Sequence, residues 1–138
     1  SHSHKDMEII TYVIEGALEH KDSRGNTKVL GCGDAQRITA GTGIIHSEYN
    51  LSRQFPVRFL QFWIFPDQHS LAPEYAERQF SSASKWGQWC LMASNNGREG
   101  SLRIHQDADV YVTLLEKGDE ITFQALIDRY YWIQVLSG

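Results

Sequence analysis

Ser1-His2-Ser3-His4 and Gly43-Ile44-Ile45-His46-Ser47-Glu48 are the two stretches that decide how this chain is read. Side chains alternate along a β-strand, so an H-x-H places His2 and His4 on one face, and an H-x-E does the same for His46 and Glu48. Two such strands facing each other inside a β-barrel bring three imidazoles and one carboxylate together. That donor set suits a divalent transition metal and leaves coordination positions open.

Outward from these segments the pattern stays β-like. Glu8 to Leu18 is rich in Ile, Thr, Tyr and Val, and the turn cluster Lys21 to Asn26 separates it from Val29 and Leu30, as across a hairpin. Gly31-Cys32-Gly33-Asp34 is a second turn before a short strand from Ala35 to Thr39. Ala40-Gly41-Thr42-Gly43 then feeds the strand of His46 and Glu48. Arg58 to Phe65 closes this first unit, and Pro66, which has no N–H for a ladder, ends it. Residues 67–100 read as a connector with a short strand near Gln88 to Met92. Strand patterning returns at Leu102 to His105, Val110 to Leu115, Ile121 to Leu126 and Tyr130 to Leu136. No helical stripe is long enough for a substantial helix. The expectation is an all-β chain, barrel or sandwich.

Bulk properties exclude several classes. With 138 residues, 41% hydrophobic and 22% charged, the chain has globular composition. A net charge of −4 argues against a nonspecific grip on nucleic acid. No apolar run reaches the roughly 18–20 residues of a membrane helix, and no signal peptide precedes His2, so no membrane partner and a cytoplasmic location are expected. Cys32 and Cys90 are too few for a disulfide framework. His20, His69 and His105 are read as structural.

Here a resemblance enters. His2 through Glu8, Thr11 to Gly16 and Glu19 to Asn26 resemble the first block of the pirin family, a branch of the cupin superfamily. Gly33 to Gln36, Thr39 to Glu48 and Gln61 to Ile64 resemble its second block. Gly100 to Asp107 and Tyr131 to Val135 are similar to the start of the family's second cupin domain, with the bacterial pirin-like quercetinase group the nearest in flavour. The resemblance implies a cupin-type β-barrel (a double-stranded β-helix, or jelly roll) with a partial second cupin unit. The expected organisation is a metal-bearing core over 1–66, a connector over 67–100 and partial second-cupin strands over 101–138.

It also implies one divalent transition metal held by His2, His4, His46 and Glu48. Iron is favoured on resemblance alone, and Mn, Ni, Co, Cu or Zn are also compatible. Glu8 is the competing carboxylate, since many cupins use a Glu shortly after the H-x-H; the pirin pattern gives it a supporting role instead. The implied activity is a quercetin 2,3-dioxygenase-like oxidation of a small aromatic substrate, a flavonol. Glu48 serves as base and ligand, and Tyr12, Phe59, Phe62 and Trp63 are candidate wall residues. The alternative is a non-enzymatic, metal-dependent interaction protein like eukaryotic pirins. Set against the family pattern, the chain reads as shortened at both ends, and the barrel edge this exposes leads to the expectation of a homodimer in which residues 102–136 help complete a barrel.

Overall fold

The computed structural model describes residues 1–138 as eleven short strands and two single 3-10 turns. The strands are β1 (His2–His4), β2 (Glu8–Glu15), β3 (Ala17–Asp22), β4 (Thr27–Gly31), β5 (Asp34–Thr39) and β6 (Ile44–Asn50). They continue as β7 (Arg58–Ile64), β8 (Glu74–Gln79), β9 (Cys90–Ser94), β10 (Leu102–Arg103) and β11 (Val110–Val112). One four-stranded antiparallel sheet has the order β1-β6-β3-β4, and a second has the order β7-β2-β5-β8. A small third sheet, β10-β9-β11, packs behind the second. No helix is long and apolar enough to cross a membrane.

The stretch from Glu8 to Leu18, expected as one run, divides at Gly16. Its φ of +78° is left-handed, and a Cβ there would come within 2.5 Å of the Pro56 carbonyl oxygen, so only glycine fits between β2 and β3. Across the next turn β3 and β4 pair as the expected hairpin, with Leu18 opposite Leu30 and His20 opposite Lys28. Gly41, at φ +52°, abuts the Leu71 carbonyl and turns the chain from β5 into β6.

Alternation along β2 sorts its residues between two environments. Ile9 and Val13 face the first sheet. Ile9 joins Ile38, Ala40 and Ile44 in one apolar cluster, while Val13 joins Leu18 and Leu30 in another. Ile10 and Tyr12 face the opposite way and pack with Ala35 against Met92, Ala93, Leu102 and Ile104 of the third sheet and its flanks. Side chains of this size stabilise by roughly 1.5–3 kcal/mol each when fully buried, so the second unit is held to the first by its own core.

Two expectations are corrected. The segment 67–100 is more than a connector: β8 completes the second sheet by pairing along β5, from Asp34 opposite Gln79 to Thr39 opposite Glu74. In the opposite direction, the strands expected at Ile121 to Leu126 and Tyr130 to Leu136 do not form, and those at 102–105 and 110–115 shrink to β10 and β11. Strand propensity is realised only against a partner strand, and none runs beside residues 113–138 apart from a lone bridge between Trp86 and Leu114. The segment is held instead by aromatic edges. Phe123 lies 5.7 Å from Trp89, 5.4 Å from Tyr111 and 5.6 Å from Tyr131, and the Trp89 indole donates to the Thr122 carbonyl at 2.9 Å. Ile127, Tyr130, Trp132 and Ile133 stay exposed. The block packs on its own chain through Leu136, against the cluster of Ile10 and Tyr12.

Candidate metal centre

Between the two apolar clusters the inner faces of the large sheets carry a polar layer. Thr11 on β2, Gln36 on β5 and Gln61 on β7 are one row, since Thr11 is paired in register with both glutamines. Facing them, β6 brings His46 and Glu48, β3 brings His20 and Asp22, and β1 brings His2 and His4. Register explains the convergence: His2 lies opposite His46, His46 opposite Asp22, and Glu48 opposite His20. Polar groups in a barrel interior are costly unless paired, so their presence needs a reason.

Part of the layer is fully paired. The Glu48 carboxylate accepts from the Gln36 amide at 2.9 Å and from the Gln61 amide at 3.0 Å. Both amides also reach the Thr11 hydroxyl, at 3.3 and 3.0 Å. Tyr75 from β8 donates to Gln36 Oε1 or Glu77, and its ring stacks on His20 at 4.7 Å. Burial and the Glu77 carboxylate raise the Tyr75 hydroxyl well above its ordinary value, so it remains a donor.

The imidazoles are different. His46 is 1% exposed, and neither of its ring nitrogens has a hydrogen-bond partner; His4 Nε2 is likewise buried and unpaired. The rings of His2, His4 and His46 sit edge to face, with centroids 4.2–5.0 Å apart. Burial, then the neighbouring His2, His4 and His20, push the His46 imidazole down to about 4, and burial followed by His2 lowers His4. Neutral imidazoles with free lone pairs, crowded where they cannot all be protonated, are what a cation requires of its ligands. One donor atom from each of His2, His4 and His46 lies within 4.8 Å of the other two, and the same holds for His20, His46 and Glu48. The residues present therefore fit a divalent ion.

Of the residues expected from sequence, His2, His4 and His46 converge directly, and Glu48 joins through His46. Glu8 lies on the other face of β2. It is fully buried, accepts from Thr39 Oγ1 at 3.1 Å and stands 3.5 Å from His105 Nδ1, so it serves the contact with the second unit rather than the centre. His105 stands beside Glu8 and the exposed His69 beside Asp6, and neither joins the histidine cluster. Of the candidate wall residues, Trp63 reaches the centre, 5.4 Å from His4; Tyr12 and Phe62 pack on the opposite face. His20, a structural residue by the sequence reading, lies inside the polar layer. The signal was available in His20-Lys21-Asp22, another period-two pair, and in the inward Thr11, Gln36 and Gln61.

The fold and this layer define the class: an all-β cupin-type protein with an imidazole-rich interior. The chain belongs to the pirin family of that class. The family model described as Pirin matches residues 1–64, and the one described as Quercetinase C-terminal cupin domain matches residues 91–138. It is 43% identical to a quercetin 2,3-dioxygenase of Escherichia coli, over 100% of this chain and 58% of that protein. A putative quercetin 2,3-dioxygenase of Zymomonas mobilis is 42% identical, covering 99% of this chain and 58% of its own length. Among solved structures, the bacterial pirin YhhW of Escherichia coli in complex with nickel(II) superposes with a TM-score of 0.74 at 44% identity. That superposition covers 80% of this chain and 46% of that one. The chain thus spans a little over half the length of these relatives.

Proposed function

We propose that the chain is a metal-dependent pirin-like cupin that oxidises a flavonol or related small aromatic with dioxygen. The observation that carries the reading is His46, a buried imidazole with both nitrogens unpaired, ringed by His2, His4 and a doubly clamped Glu48. A solvated or structural histidine would have a partner for at least one nitrogen. The names of the relatives and the nickel complex of YhhW support the same reading.

In this reading His2, His4, His46 and Glu48 hold the ion. Once bound there, it would supply Lewis acidity toward the acidic hydroxyl of the substrate. The protein's own groups do the rest. Glu48 accepts the substrate's hydroxyl proton at a carboxylate oxygen, and Gln36 and Gln61 hold that carboxylate in place through their amides. Trp63 provides an apolar wall beside His4, and the exposure of His2 marks the open side of the centre. The clusters around Ile9 and Val13 close both ends of the layer to water.

The test is oxygen uptake by the metal-loaded chain with quercetin, together with metal content. Wild-type protein is expected to consume oxygen. Glu48→Gln should keep a good share of the metal and lose turnover. Absence of uptake with several flavonols in fully loaded protein overturns the enzymatic reading in favour of a metal-dependent interaction protein.

A further inference from the structure

His20 is the one histidine of the polar layer outside the ligand set proposed above, and its surroundings are unlike those of a structural histidine. It is fully buried on β3. Its Nε2 lies 3.0 Å from Asp22 Oδ2, and because an ionised carboxylate only accepts, Nε2 carries the proton. Nδ1 is thereby the lone-pair nitrogen, and it is buried with no partner.

Asp22 is itself fixed. Burial alone would raise its carboxyl, but donors from His20, the Asn26 side chain and the backbone of Asn26 and Arg24 outweigh that and hold it below its ordinary value. The Asn26 amide donates at 2.8 Å, and the two backbone N–H groups at 3.1 and 2.9 Å. A turn wrapped this closely around one carboxylate sets the tautomer and the plane of the imidazole. Tyr75, stacked on the ring, holds that plane from the side.

His20 lies opposite Glu48 in the β3–β6 register, and its ring centroid is 5.8 Å from that of His46. One ring nitrogen of His20 lies within 4.8 Å of a donor atom of His46 and of one of Glu48. A carboxylate that orients an imidazole toward a cation is the arrangement that outer partners give to metal-binding histidines.

We infer that His20 is a further metal donor of the centre, oriented by Asp22. The layer then holds two donor sets that share His46: an outer one with His2 and His4, and an inner one with His20 and Glu48. The inference rests on the reading of the layer as a metal centre, and it predicts that binding depends on residues of the β3–β4 turn.

The experiment uses Co(II), whose visible absorption reports the number and geometry of its ligands, titrated into metal-free chain against a competing chelator. His20→Ala should weaken Co(II) binding by about 10- to 100-fold and alter the absorption bands, and added imidazole should restore them. Asp22→Asn, which retains His20, should weaken binding in the same direction by about tenfold, with circular dichroism of the metal-free form unchanged. Wild-type affinity and bands in His20→Ala, alongside loss of binding in His46→Ala, overturn the role of His20 and leave the metal centre standing. If His20→Ala does not fold, Asp22→Asn decides, and unchanged affinity and bands in it overturn the inference. Failure of the wild-type chain to take up Co(II) overturns the metal centre itself and this inference with it.

Discussion

Replacing His46 by leucine separates a metal ligand from a structural histidine by the sign of its effect on stability. In the metal-free chain the neutral His46 ring buries one N–H and one lone pair, neither of them paired. An unsatisfied buried donor or acceptor costs about 1–3 kcal/mol. Leucine fills a similar volume and removes that cost, while giving up edge-to-face contacts with His2 and His4 worth about 0.5–1.5 kcal/mol. The net expectation for His46→Leu without metal is a gain of about 1 kcal/mol, or an upward shift in Tm of roughly 3–5 °C for a chain of this size. A hydrogen-bonded structural histidine would shift the other way. The assay is thermal and urea denaturation in excess chelator, with metal content measured separately. His46→Leu should melt higher than wild type in chelator, lower than wild type once metal is supplied, and retain little metal. A lower Tm in chelator, or an unchanged metal content, refutes the reasoning.

Acid should destabilise the metal-free chain through the same residue. The folded value of about 4 lies below the ordinary 6.5, so the unfolded chain binds the proton more readily. This contribution to stability is full above about pH 6.5 and is lost as pH falls toward 4. Urea midpoints near pH 7.5 and pH 5 should therefore diverge in wild type and draw together in His46→Leu. Glu8→Ala, on the face of β2 turned to the second unit, should leave metal uptake unchanged yet cost about 1–3 kcal/mol by stranding the Thr39 hydroxyl and the His105 N–H, as denaturant titration will show. We further propose a homodimer, on the strength of the exposed Ile127, Tyr130, Trp132 and Ile133; light scattering that gives a folded 15.8 kDa monomer overturns it.

Period-two spacing was enough to read β1 and β6 from the sequence, because two histidine-bearing strands keep their parity wherever they pack. The glycine turns at Gly16 and Gly41 mark strand ends for steric reasons that local sequence carries. What local sequence lacks is the identity of the partner strand. Glu74 to Gln79 has a polar composition, yet β5 offers it a full ladder and it forms β8. Tyr130 to Leu136 has the better strand composition, yet no neighbour runs beside it and it forms none. His20 is harder to place for a related reason: its position opposite Glu48 is a property of the β3–β6 pairing, and the His20-Lys21-Asp22 spacing shows only that the two side chains share a face. The place of Glu8 likewise depends on which face of β2 meets the histidines, which the strand pairing decides.

Strand β2 has a consequence for how sequence change can accumulate in this chain. From Glu8 to Val13 every residue is buried, odd positions toward the histidine layer and even positions toward the second unit. Thr11 stands between Ile10 and Tyr12 and is touched by both glutamines that hold Glu48. The strand is a party wall: its two neighbours cannot be altered independently, because a substitution that repositions the backbone for one tenant shifts the masonry of the other. Leu102 and Ile104 pack on the face of β2 opposite Thr11, so repacking there bears on the strand that both glutamines of Glu48 lean against. Improvements in chemistry and in packing must be found together along this strand, and it is where the chain has the least room to drift.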